Sequence, residues 1–225
     1  MLGKQFILVL SVILCLNLQA QNQLSKDISP LQENSKYVLP SLDNKALKKQ
    51  YKDNFKTKNR FAEPRDVNIS IDKQGTWEST KSDILIWRQA IRSPNAHSIN
   101  LGFTKFKLPT SAKLFIYNSD KTDVLGPLTS ADNDDHLQFW TPIVKGDEVI
   151  IELQINAKDR DKVLLELTRI NHDFRGFEKS LSQSCNLDVI CGANDGWDIV
   201  DGYRDIIRSV GAYTLNGIDQ CTGAL

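Results

Sequence analysis

The stretch Glu148-Val149-Ile150-Ile151-Glu152-Leu153-Gln154-Ile155-Asn156 decides the fold class. Val149, Ile151, Leu153 and Ile155 alternate with Ile150, Glu152, Gln154 and Asn156. A period of two belongs to a β-strand, with one face buried and the other mostly wet. Working outward, similar short runs rich in β-branched and aromatic residues recur on both sides. They are Val67–Ile71, Ile84–Ile91, Ser98–Leu108, Lys113–Tyr117, Leu137–Val144 and Val163–Ile170. Asp72-Lys73-Gln74-Gly75, Ser93-Pro94-Asn95 and Lys145-Gly146-Asp147 supply turns between them. The spacing predicts an all-β domain over residues 67–176, a β-sandwich. Trp87, Phe103, Phe106, Phe115, Phe139 and Trp140 are its expected core aromatics. No cysteine lies in this range, so apolar packing alone must hold it.

The chain of 225 residues has 28 Lys plus Arg against 28 Asp plus Glu. That balance gives no case for nucleic acid as a partner. No phosphate-cradling loop or dinucleotide fingerprint is present, and no cofactor is expected. Met1–Ala20 reads as a secretory signal, with Lys4 before the apolar run Phe6–Leu16 and a cut expected at Ala20/Gln21. Lipidation at Cys15 would need a small residue before it, and Leu14 is not small. The polar run after Ala20 gives no stop-transfer flank, so no membrane association is expected once the signal is removed. The expected localisation is secreted or periplasmic. Residues 21–66 are polar and read as a loose pro-segment. Within it Leu47, Tyr51 and Phe55 share one helical face among lysines, which marks a short helix, expected solvated rather than docked on a neighbour, with a basic patch for anionic surfaces as the third reading.

Three of the four cysteines, Cys185, Cys191 and Cys221, lie in the last stretch. There Ser184-Cys185-Asn186-Leu187-Asp188-Val189-Ile190-Cys191 is followed by Tyr203-Arg204-Asp205-Ile206-Ile207-Arg208-Ser209-Val210-Gly211-Ala212-Tyr213. Cys221-Thr222-Gly223-Ala224-Leu225 closes the series. These blocks, in this order, resemble the start of the mature enzyme in the lysyl endopeptidase-like family, secreted bacterial serine proteases of trypsin-like fold. The chain departs from that pattern at Gly192, where the family usually has proline, and at the extra Trp197–Gly202. Trp87-Arg88-Gln89-Ala90-Ile91, Ala96–Phe103, Leu114-Phe115-Ile116-Tyr117, Leu137–Pro142 and Phe174-Arg175-Gly176-Phe177 are similar to the propeptides ahead of such proteases.

The resemblance implies a precursor: a β-sandwich pro-domain, then the first part of a trypsin-like double β-barrel over residues 180–225. It implies cleavage at Lys179/Ser180 and a pro-domain that assists folding and inhibits its own protease domain until that cut. The expected partner of the complete enzyme is a protein or peptide substrate; the resemblance and Lys179 suggest a cut after lysine, and lysine against arginine stays open. The resemblance also implies that the catalytic histidine, aspartate and serine lie beyond Leu225, as do the disulfide partners of Cys185, Cys191 and Cys221. Residues 180–225 alone would then not be independently stable. No catalytic residue is expected in this chain. His172-Asp173 looks like part of a triad, but a triad is defined by geometry and not adjacency. Asp132-Asn133-Asp134-Asp135-His136 could offer oxygens to a hard cation but lacks the loop glycine and distal glutamate of a calcium loop, so a polar turn is expected and no metal site. The competing expectation is a secreted β-sandwich binding or adhesion module with a non-catalytic tail.

Overall fold

The structure, a computed structural model, describes residues 20–21, 23–25, 28–52, 59–80, 82–176 and 210–224. In chain order its elements are β1 (Tyr37–Val38), α1 (Asn44–Lys52), β2 (Ala62–Ser70), β3 (Thr76–Ser79), β4 (Ile84–Arg92) and β5 (Ser98–Lys107). Then come β6 (Lys113–Asn118), β7 (Val124–Leu128), β8 (Phe139–Trp140), β9 (Val144–Lys145), β10 (Glu148–Asn156) and β11 (Leu164–Asp173). A hairpin of β12 (Val210–Leu215) and β13 (Asp219–Ala224) follows. The fold is all-β. The described residues fall into two units, one drawn from Met1–Leu42 and Pro64–His172, the other from Asp43–Glu63 and Asp173–Leu225.

The first unit is two sheets with a core between them. One is six-stranded in the order β1-β4-β10-β6-β7, with β3 also on β4; the other is five-stranded in the order β2-β11-β5-β8, with β9 also on β5. β10 is central. It pairs antiparallel with β4, Leu153 opposite Trp87, and with β6, Leu153 opposite Leu114. The alternation read in the sequence becomes a stripe: Val149, Ile151, Leu153 and Ile155 are all buried in the core. Facing them from the other sheet are Ile99, Leu101, Phe103, Phe106, Leu165, Leu167 and Ile170. Each such side chain contributes about 1.5–3 kcal/mol by leaving water.

The sequence reading differs from the structure at definite points. The run Leu137–Val144 is not one strand but β8 and β9, because Pro142 has no N–H for the ladder and Leu137 has a φ of 59°. β2 begins at Ala62 rather than Val67, and the short β1, β3 and β7 carry too little apolar signal to be read. Trp140 is 44% exposed rather than a core residue. Its ring lies against Gly102 on β5, where a Cβ would come within 2.7 Å of it. Phe115 is buried, but on the outer face of the six-stranded sheet with Ala20, Leu24, Tyr117 and Val124. That face is not wet at its centre: Glu152 is fully buried under residues of the 20–30 segment.

In the second unit Asp43 caps α1, its Oδ1 accepting from the N–H groups of Lys45 (2.9 Å) and Ala46 (3.1 Å). Lys49 and Lys52 sit in its last turn, where cations suit the helix dipole. Tyr51 is buried and stacks on Phe174 with ring centroids 5.5 Å apart, so the helix docks rather than standing solvated. Phe55 lies outside the described residues. The hairpin turns at Asn216 and Gly217, whose φ values of 52° and 67° suit an asparagine-glycine pair. Of the trypsin-like double barrel expected over residues 180–225 this hairpin is the described part, and no closed barrel occurs among the described residues.

Candidate functional site

The positions expected from the sequence to be processed, Ala20/Gln21 and Lys179/Ser180, bracket the sandwich in chain order. At the front, Ala20 is buried and Gln21 donates from Nε2 to the Lys121 carbonyl at 2.5 Å. The segment then crosses the outer face of the six-stranded sheet. The Ser25 N–H donates to Glu152 Oε1 at 2.9 Å, and Gln154 Nε2 donates both to that oxygen (2.9 Å) and to the Gln23 carbonyl (2.9 Å). Tyr117 donates its hydroxyl to Glu152 Oε2 at 2.8 Å. Burial, then the Glu152 charge, push the Tyr117 pKa up, so the phenol keeps its proton and remains a donor. Buried Arg88 pairs with Glu78 and donates to the Ser29 carbonyl. These contacts hold the front segment on the sheet. A cleft of about 420 Å³ beside them is lined by Gln21, Leu24, Ser25, Ser29, Arg88 and Lys121 among others. The buried charge in its lining, Arg88, is engaged through Nη2 with Glu78 and the Ser29 carbonyl, which suits structure better than turnover.

At the other end, β11 carries the sequence's triad-like pair. His172 is fully buried, with Nδ1 2.8 Å from Ser93 Oγ, and Ser93 is fully buried as well. A serine and histidine in contact satisfy one element of nucleophilic catalysis, but no substrate carbonyl can reach a hydroxyl sealed in a core. Asp173 Oδ1 instead accepts from the N–H groups of Arg175 (2.9 Å) and Gly176 (2.7 Å). That side chain bends the chain at the strand end. Gly176, with a φ of 81°, takes a conformation glycine adopts freely.

Lys179, Ser180, Cys185 and Cys191 lie outside the described residues. Cys221 is in β13, its Cα opposite Tyr213 on β12. In the stretch Asp132–His136 the side chains serve the local turn. Asp132 completes a capping box with Thr129, Asn133 bonds both the N–H and the carbonyl of Leu108, and exposed His136 meets Asp134 at 3.0 Å. The Asn216-Gly217 turn signal would have located the hairpin from sequence. Nothing in the spacing of residues 20–30 marks them as the cover of a sheet.

With this geometry in view, residues 38–174 match the family model of the lysyl endopeptidase N-terminal domain. The chain belongs to this family. The matched range takes in both sheets of the lysyl endopeptidase N-terminal domain and ends at Phe174, one residue after β11 closes. It supports a lysyl endopeptidase-type protease precursor, with this domain on its N-terminal side. No solved structure matches the chain.

Proposed function

We propose that residues 21–179 are the propeptide of a secreted serine endopeptidase of lysyl endopeptidase type. The signal segment Met1–Ala20 directs export and is cut at Ala20/Gln21. The pro-domain helps its own protease domain to fold and blocks it until the linker is cut at Lys179/Ser180. Ser180 then begins the mature enzyme, which cleaves peptide substrates after lysine through a serine, histidine and aspartate triad supplied by the protease domain. Cys185, Cys191 and Cys221 form disulfides of that domain in the oxidising space outside the cytoplasm.

The observation that carries this reading is the family match over residues 38–174, which stops shortly before the lysine of the linker. The turn at Asp173–Gly176 supports it, because a chain leaving a packed strand into a polar linker is where proteolysis concentrates. The test is N-terminal sequencing of the processed secreted product. Ser180 should be its first residue. Lys179→Gln should slow the cut at this bond on the order of a hundred-fold or more, since a charge-reading pocket would lose its partner. A mature start elsewhere, or unchanged processing of the variant, overturns the reading.

A further inference from the structure

The second unit contains a pairing that changes meaning once the linker is cut. Asn59–Ala62 runs beside the turn of the β12–β13 hairpin. The Gln220 N–H donates to the Asn59 carbonyl at 3.0 Å. Returning the other way, the N–H groups of Phe61 (2.8 Å) and Ala62 (3.3 Å) donate to the Ile218 carbonyl. Arg60 and Asp219 face each other as an antiparallel bridge, with Arg60 Nε 3.4 Å from Asp219 Oδ1. This is the pattern of an extended segment adding itself to a hairpin edge through its backbone.

The segment is braced on its other side by residues that precede Lys179. The Phe61 carbonyl accepts from the Phe174 N–H at 3.0 Å, and Phe61 and Phe174 are both buried. Tyr51 of α1 stacks on Phe174, donates its hydroxyl to Glu63 at 2.6 Å, and lies under the Arg60 guanidinium, 5.3 Å from the ring centroid. Arg60 is thus held between an aromatic ring and a carboxylate. Its side chain keeps 22% of its exposure and that of Asp219 keeps 31%, so the pair is shielded in part from solvent.

A two-stranded hairpin is at best marginally stable in water without further strands or packing. Asn59–Ala62 supplies backbone partners at the hairpin's turn. Every bracing residue lies N-terminal to Lys179, and the whole hairpin lies C-terminal to it.

We propose that Asn59–Ala62 is a docking strand of the propeptide for the hairpin Val210–Ala224, and that it holds the two pieces together after the linker is cut. The proposal rests on the linker reading above for its second half only. The pairing itself exists in the uncut chain.

The test is hydrogen exchange on the uncut full chain, followed by size-exclusion chromatography after cleavage in the linker. The amides of Phe61 and Gln220 should be protected together. Arg60→Glu and Asp219→Lys should each speed their exchange about two- to five-fold, as expected for losing a partly shielded ion pair. The double variant, with the charges exchanged, should recover most of the protection. After cleavage the two pieces should co-elute, and less so for either single variant. Exchange of Phe61 and Gln220 at free-chain rates overturns the docking strand, whatever happens at Lys179. Protection in the uncut chain with separation after cleavage overturns its holding role. Protected amides in a chain never cut at Lys179 overturn the processing reading and leave the pairing standing.

Discussion

Glu78 shows how one carboxylate ties the front segment to the sandwich. Burial raises its pKa, but the Ser29 backbone N–H and Arg88 together outweigh that and hold it below the ordinary glutamate value. A carboxyl depressed on folding contributes stability that is complete above its unfolded value of about 4.3 and is lost as pH falls through the lower folded value. The chain should therefore lose about 1 kcal/mol more between pH 5 and pH 3 than Glu78→Gln does, a size suited to a partly exposed ion pair. Urea titrations of both at the two pH values check this; equal losses would remove Glu78 from the account. At the same scale, Ser93 and His172 show why residue types alone mislead. Their contact is short but sealed, and it belongs to packing.

Among the elements, β10 carries the sandwich. It has a partner on each side, and Leu153 is fully buried between Trp87 and Leu114 in register. Leu153→Ala should cost about 2–5 kcal/mol, the range for a core leucine whose site cannot collapse. A urea midpoint within experimental error of the parent would contradict the placement of this strand. The two faces of β10 also show what alternation can and cannot say. It marked Val149, Ile151, Leu153 and Ile155 as one face without ambiguity. It marked Glu152 as wet, because nothing local to the strand reveals that residues far earlier in the chain will cover it.

For the molecule as a whole, the front segment is part of the first unit's structure. Leu24 is buried with Phe115 and Tyr117, and the Ser25 N–H is one of the donors to Glu152. Deleting residues 21–30 should cost at least about 3 kcal/mol. Roughly 1.5–3 kcal/mol comes from Leu24 and a similar amount from a hydrogen bond to a charged group. Chemical denaturation of the full chain with and without these residues measures it. A loss below about 1 kcal/mol would mean the segment lies on the sheet without holding it.

The sequence by itself determined the all-β class, the main strands, the turns at Asp72–Gly75 and Ser93–Asn95, and the family. These follow from side-chain alternation, from backbone preferences of glycine, proline and asparagine, and from ordered motif blocks, all of which are local in the chain. The tertiary structure alone decided that Glu152 is covered, that Trp140 is half in water over Gly102, that His172 is spent on Ser93, and that Asn59–Ala62 pairs beside Ile218. Each of those depends on residues far apart in sequence meeting through backbone hydrogen bonds or packing. Backbone donors and acceptors are the same at every non-proline position, so pairing between distant segments leaves almost no trace in residue identity.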